Sequence, residues 1–167
     1  MDAPSPPRRL TVASPVGPIT LAESDGRLVS AHIGRRTRAS AEGENASDRS
    51  PLLDRARDQL EAYFRGELRD FDLPLAPAGS AFELRVWQAL REIPYGTTKS
   101  YGQIARQVDG VARAVGQACG SNPIPIIVPC HRVLAEDGRL GGFSAPGGRD
   151  TKSFLLELEG ARTPRLL

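Results

Sequence analysis

The chain has 167 residues, 40% of them hydrophobic and 25% charged, with a formal net charge of +2. That suffices to bury a core but is short for two full-sized domains, so one compact unit in two lobes is expected. No apolar run reaches 18 residues and the opening MDAPSPPRRL lacks the apolar segment of a secretory signal, so membrane-spanning and exported classes are set aside and a soluble, cytoplasmic protein is expected.

Short apolar stretches come first, Leu10–Val12, Ile19–Ala22 and Leu28–Ile33, separated by Ser14-Pro15-Val16-Gly17-Pro18 and Ser24-Asp25-Gly26-Arg27. Pro and Gly preset turn dihedrals, so these read as strands joined by hairpins. Arg35–Ser50 is polar and without periodicity, the pattern of a mobile loop. Ser50-Pro51 then supplies a cap and a proline at the first helical position, and Leu52, Leu53, Ala56, Leu60, Tyr63 and Phe64 form a stripe that ends near Gly66. Phe71–Leu75 reads as a further strand, and Pro74, Pro77 and Gly79 mark a lobe boundary between 1–79 and 80–167.

The second lobe is more basic, with 11 Lys and Arg against 8 Asp and Glu, where the first has 11 against 12. Ser80-Ala81-Phe82-Glu83 and Ser100-Tyr101-Gly102-Gln103 have the Ser-x-x-Glu/Gln form of a capping box, predicting helices over 80–91 and 100–108. A third, Ala112–Gly120, follows after Asp109-Gly110-Val111, which outlines either a helix-turn-helix or an ordinary helical hairpin. Ala112, Ala114, Gly116, Ala118 and Gly120 make that helix slim enough for close approach of another surface, a DNA groove or a neighbouring helix, with Arg113 its one charge. From 94 to 134 only Asp109 opposes Lys99, Arg106, Arg113 and Arg132, which suits an anion or a solvated face. Asp150 is positioned to cap a last helix through Leu158, with Phe154, Leu155 and Leu158 as its apolar stripe.

Cys119 and Cys130 are too few for a disulfide framework and are expected as thiols in a reducing compartment. In Ile126-Ile127-Val128-Pro129-Cys130-His131-Arg132-Val133 the apolar run implies a nearly buried cysteine, ordinarily an inert small hydrophobe. His131 beside it opens the other reading, in which an imidazole takes the thiol proton directly or through one water and leaves a reactive thiolate. Cys119, Cys130, His131 and His32 lack the paired short spacings of zinc sites, and Cys119 to Cys130 is unlike Cys-x-x-Cys, so neither a metal nor a redox pair is expected and Cys119 reads as packing.

The segment Asn122 to Val133, with its Pro-Cys-His-Arg core, resembles the active-site segment of the O6-alkylguanine-DNA alkyltransferases. The resemblance extends through Phe82–Trp87, Ile93-Pro94-Tyr95-Gly96, Ser100-Tyr101-Gly102, Ala112–Gly116 and Leu155–Gly160, and more loosely through Ser14–Leu21 and Ala62–Glu67. It implies an α/β N-terminal lobe with a small antiparallel, ribonuclease-H-like sheet, and a mainly helical, winged-helix-like C-terminal lobe with a helix-turn-helix.

It further implies direct repair of DNA: the alkyl group of O6-alkylguanine, with O4-alkylthymine as a second candidate, moves irreversibly to Cys130, once per molecule and without a cofactor. His131 would draw off the thiol proton through a water, Glu159 orient the histidine, Asn122 hold the turn and Tyr101 donate a proton to the leaving base. The nucleotide would be rotated out of duplex DNA from the minor groove, with Arg113 filling the vacated space and Ala112, Ala114 and Gly116 lying against the backbone. Val133, through its carbonyl, and Pro125, Phe143 and Ser144 would form the pocket. The implied protein is a monomer whose partner is double-stranded DNA carrying the lesion. The turn before Ala112 is about two residues shorter than the family's usual connection, and Phe143 stands where many members carry tyrosine.

Three rivals make distinct predictions. An alkyltransferase-like damage sensor lacks the acceptor cysteine that Cys130 supplies. A plain helix-turn-helix regulator wants polar side chains along its recognition helix. A cysteine hydrolase built on Cys130, His131 and Glu159 turns over on small acyl substrates.

Overall fold

The computed structural model describes residues 6–34, 50–143 and 147–162. The chain divides into two compact units, Met1–Pro77 and Ala78–Leu167. In the first, β1 (Arg8–Val12), β2 (Ile19–Ser24) and β3 (Arg27–Ile33) form an antiparallel sheet in that order. Leu10 pairs with Leu21 and Leu21 with Ala31, which sets the apolar positions opposite one another. The β2–β3 hairpin turns on Asp25 and Gly26, both at positive φ (52° and 76°), the two-residue turn whose twist matches the strands. β2 is the central strand, and Ile19 through Glu23 are all buried.

Helix α1 (Pro51–Phe64) starts where Ser50 accepts the Leu53 amide and lays Leu53, Ala56, Leu60 and Tyr63 inward against β1 and β2. The strand expected over Phe71–Leu75 does not form. Only Leu75 makes a bridge, parallel to Leu28. Pro74 has no amide to donate, and the Gln59 side chain takes both the amide and the carbonyl of Asp72, so the groups a ladder needs are already engaged. The loop expected over 35–50 lies, Ser50 excepted, outside the described residues.

In the second unit, α2 (Ala81–Arg91) and α3 (Tyr101–Val108) begin at capping boxes formed by Ser80 with Glu83 and Ser100 with Gln103. Asp109 closes α3 in the left-handed region (φ 59°), and α4 (Ala112–Gly120) follows, giving the helix-turn-helix. The short turn fits because Gly110 sits under Phe82: a Cβ there would lie 2.8 Å from the ring. Trp87 donates its indole N–H to the Ala118 carbonyl at 2.8 Å, tying α2 to α4.

Two short strands that the sequence did not announce, β4 (Lys99–Ser100) and β5 (Val133–Leu134), pair in parallel and anchor the thiol segment to the start of α3. The last helix, α5 (Arg149–Leu158), differs from expectation at two points. Its cap position is Gly148, without a side-chain cap, and Asp150 lies in its first turn. Its inward stripe is Thr151, Lys152, Leu155 and Leu156, while Phe154 is 37% exposed. Among the described residues no helix is long and apolar enough to cross a membrane.

Candidate active site

Cys130, His131 and Arg132 form one turn of 3-10 helix between the apolar run and β5, all three buried. The backbone leading into it is folded on itself. Asn122 donates its side-chain N–H to the Val128 carbonyl at 2.9 Å and accepts the Ile124 amide at 3.0 Å, while the Val128 amide returns to the Ile124 carbonyl. Inside this loop Ile126 is held at φ 74°, a conformation that β-branched residues avoid and that persists only where surroundings over-determine it, at a cost of about 1–3 kcal/mol. Asn122 thus holds together the turn that presents the thiol.

Behind the thiol is a buried polar cluster. His131 Nε2 lies 2.7 Å from Glu159 Oε2, with both side chains 0% exposed. Arg132 donates Nε to Glu159 Oε1 at 2.8 Å and one terminal nitrogen to Oε2 at 3.1 Å, and its other terminal nitrogen to the Ile93 carbonyl at 2.7 Å. A carboxylate receiving donors on both oxygens accepts the proton-bearing nitrogen of the imidazole, so Nε2 carries the hydrogen and Nδ1 is the basic atom. Nδ1 is buried and has no hydrogen-bond partner among the described residues. Burial lowers the pKa of His131 below its ordinary 6.5, with Glu159 opposing, so the ring is neutral at neutral pH and free to take a proton.

Cys130 faces a cavity of about 610 Å³ lined by Tyr101, Ala112, Arg113, Gly116, Cys119, Gly120, Cys130, Gly141, Gly142 and Phe143. The start of α3, the exposed side of α4, the thiol turn and the 141–143 segment therefore meet at one opening. Burial pushes the Cys130 thiol above its usual 9.0, against the pull of the Asn122 amide and the Lys152 ammonium. Tyr101 is pushed up to about 12, chiefly by burial, and so keeps its proton as a donor. Gly141, at φ 69°, is required by that tyrosine: a Cβ there would stand 2.9 Å from the phenolic oxygen.

Of the residues singled out from sequence, Cys130, Tyr101, Arg113, Ala112, Gly116 and Phe143 share this cavity, with His131, Glu159 and Asn122 supporting the turn behind it. Ala114 is on α4 but not in the lining. Pro125 and Val133 are not among the lining residues either: Pro125 bridges to Val128, and Val133 is buried in β5 opposite Lys99. Ser144 lies outside the described residues.

Three participants were missed. Cys119, read as packing, lines the cavity beside Cys130, with its thiol pushed up to about 12 mainly by burial. Arg132 clamps Glu159, and its place next to His131 in the motif is the signal that could have found it. Lys152 is wholly buried on α5, where its spacing from Leu155 and Leu156 offered the only hint. A larger depression of about 840 Å³ runs along α5, from Asp137 to Arg162, but its lining holds neither a thiol nor an imidazole. Among the described residues no group of three or more His, Cys, Asp or Glu is arranged to hold a metal ion.

The family model for the 6-O-methylguanine DNA methyltransferase DNA binding domain matches residues 81–161, and that for the ribonuclease-like domain of the same proteins matches 8–77. Methylated-DNA–protein-cysteine methyltransferases of Methanosarcina acetivorans and Mycobacterium bovis are 45% and 47% identical, over 89% and 92% of this chain and 95% and 93% of theirs. The crystal structure of Mycobacterium tuberculosis O6-methylguanine methyltransferase superposes with a TM-score of 0.82 at 44% identity, covering 95% of this chain and 96% of that one. A Mycobacterium tuberculosis structure in complex with DNA superposes at 0.81 with 46% identity, over 94% of this chain and 95% of the other. With both family models matched and relatives of this similarity along nearly its whole length, the chain belongs to the 6-O-methylguanine DNA methyltransferase family.

Proposed function

We propose that Cys130 is the acceptor through which this DNA-repair methyltransferase removes the alkyl group of O6-alkylguanine, one group per molecule. The observation that carries the reading is that a thiol at the mouth of a cavity is backed by a neutral, buried histidine whose proton position is fixed by a carboxylate. In the step itself the sulfur–carbon bond forms as the carbon–O6 bond breaks. The thiol proton passes to His131 Nδ1, directly or through one water, and Tyr101 gives its proton to the departing guanine, which therefore leaves without full negative charge. A thioether does not hydrolyse readily, so the protein is consumed.

The 80–167 lobe is the DNA-binding and acceptor lobe in this reading. The slim face of α4 supports it. A Cβ at Gly120 would meet nothing within 4 Å and one at Gly116 only Tyr101 Cε1 at 4.0 Å, so internal packing does not demand these glycines. Close approach to a minor groove does, and Arg113, exposed at the cavity edge, enters the space left by the flipped nucleotide. Phe143 packs on the base from the facing wall, with Val133 contributing its carbonyl and Pro125 and Ser144 the remaining surface. Two free thiols suit a reducing cytoplasm.

The test is intact mass after incubation with duplex DNA carrying O6-methylguanine, followed by fragmentation. Trypsin leaves both cysteines on one peptide, 114–132, so fragment ions must separate them. One methyl on Cys130, saturating at one per protein, is expected, and Cys130→Ala should bind lesion DNA without accepting the group. Unchanged mass with tight lesion binding would mean a damage sensor, and a methyl on Cys119 would move the acceptor.

A further inference from the structure

Glu136 is an acidic side chain that the fold holds beside the cavity without neutralising it. Ser100 stands opposite Leu134 where β4 meets β5, so the chain leaving β5 passes the start of α3. There the Ser100 hydroxyl donates to Glu136 Oε1 at 3.1 Å. Gly102 lies against the same carboxylate: a Cβ on that residue would collide with Oε1 and stand 3.3 Å from the carboxyl carbon. Ser100 and Gly102 flank Tyr101, which lines the cavity, so the carboxylate sits on the turn of α3 that opens onto the site. The helix does not need it there. Its capping box is complete without Glu136, since Ser100 accepts the Gln103 amide at 3.0 Å and the Gln103 side chain accepts the Ser100 amide at 2.8 Å. Nor is the charge answered. Asp137, next in the chain, is paired with Arg139 at 3.2 Å, whereas Glu136 is exposed and forms no ion pair among the described residues. Glycine is the poorest non-proline helix former, and Gly102 stands where alanine would push the carboxylate away.

We propose that Glu136 is an electrostatic gate on DNA binding: held on the first turn of α3, its carboxylate opposes the phosphates that a flipped nucleotide brings to the rim of the cavity, and it must leave the Ser100 hydroxyl before the lesion strand seats. This rests on the reading that duplex DNA lies over the mouth of the cavity. A base that enters beside Tyr101 stays joined to the phosphates on its two sides, so these arrive at the rim with it. Over residues 94–134 four basic side chains face a single aspartate, a balance that suits their approach, and Glu136 breaks it two residues further on. Repulsion between the carboxylate and a phosphate raises the free energy of the bound state. With both groups exposed the effect is modest and is screened by salt. Once the Ser100 hydrogen bond breaks, the side chain is free to turn to solvent. The gate therefore shortens the stay on duplex and leaves the transfer step itself alone. The rival role is structural, because a carboxylate at a helix N-terminus also favours the helix dipole. In that case replacing Glu136 lowers the unfolding temperature and does not change DNA binding.

The experiment measures the affinity of the full chain for a duplex carrying O6-methylguanine at about 50 and 200 mM salt, with Cys130→Ala in every chain so that no protein is consumed. Transfer from the free base is followed separately with Cys130 intact. Glu136→Gln keeps the size of the side chain and an acceptor for Ser100. It should bind about three- to fivefold more tightly at the lower salt, the size of one exposed charge interaction, with the gain falling away at the higher. Transfer from the free base should be unchanged. Gly102→Ala, which pushes the carboxylate off its place, should help binding in the parent more than in Glu136→Gln, and comparing the two backgrounds cancels any contact of the added methyl group with DNA. Glu157→Gln removes the same charge from the depression along α5 and should show no comparable gain. Unchanged or weaker binding by Glu136→Gln, a gain undiminished at high salt, an equal gain for Glu157→Gln, or an equal effect of Gly102→Ala in the two backgrounds overturns the proposal. A parent chain that does not hold the lesion duplex at all would instead strike the reading of this face as the DNA face.

Discussion

The unit up to Pro77 and the unit from Ala78 each close over an apolar core, but they treat buried charge in opposite ways. In the first, Leu21, Leu28, Leu53, Leu60 and Tyr63 fill the space between one sheet and one helix, and the one buried side chain of the acidic or basic types among the described residues is Glu23, at a register shift in β2. Its Oε2 has no hydrogen-bond partner among the described residues. In the second, His131, Arg132, Lys152 and Glu159 are all buried within the reach of one cavity, and Glu159 alone receives the histidine and two guanidinium nitrogens. Polar burial is costly unless it is answered by partners. The difference therefore separates a core that only holds a fold from one in which the fold's interior is also its chemistry.

The same substitution in each unit sharpens that contrast most. Glu159→Gln leaves the Arg132 guanidinium buried without its counter-charge and should cost about 3–5 kcal/mol in urea or thermal unfolding. It also releases the fixed proton position on His131, so transfer should slow by roughly a hundredfold or more. Glu23→Gln removes a carboxylate with an unpartnered oxygen, and unfolding should change by no more than about 1 kcal/mol, with transfer unaffected. Equal losses in the two variants would mean that the cluster around Glu159 is ordinary structure.

Legibility from sequence follows the same division. Elements fixed by neighbours in the chain were readable: the capping boxes at Ser80 and Ser100, the Asp25-Gly26 hairpin and the Ser50-Pro51 start all depend on contacts within four residues. Phe71–Leu75 looked like a strand because its competitor, the Gln59 side chain, is 13 residues away from Asp72. The site was readable only through the Pro-Cys-His-Arg resemblance, because Glu159 lies 28 residues from His131 and neither spacing nor periodicity links them. Lys152 escaped because a lysine in an amphipathic helix reads as surface, and Phe154 was placed inside for the converse reason. The positive φ of Ile126 had no local signature at all, since the turn around it is closed by Asn122 and imposed on an apolar run that reads as ordinary core.

A pH titration tests the contrast through His131. Burial holds its pKa below 6.5, so the folded chain binds its proton less readily than the unfolded one. Its contribution to stability is then in place above pH 6.5 and is lost as the pH falls below 6.5 toward the folded value. The expected slope from this group is at most about 1.4 kcal/mol per pH unit, and His131→Gln should remove it. Transfer should persist somewhat below pH 6.5, where an ordinary histidine would already be charged. The thiols act with the opposite sign: Cys130 and Cys119 are raised above 9.0, so their contribution is present below pH 9 and disappears above it.

The smallest change concerns the one surface of the second unit whose composition its own packing does not explain. Gly116→Ala adds a methyl group at ordinary contact distance from Tyr101 Cε1, 4.0 Å away, and replaces the poorest non-proline helix former with the best. The folded state should gain roughly 0.5–1 kcal/mol. If α4 lies in a DNA groove, the same methyl group stands where the backbone must approach, and affinity for lesion duplex should fall several-fold while transfer from free O6-methylguanine is kept. Equal loss on duplex and free base would place the effect in the cavity, which Gly116 also lines. A stabler protein with undiminished duplex binding would leave the small residues without a groove to explain them, because a helix that gains stability from alanine and loses nothing else has no use for glycine.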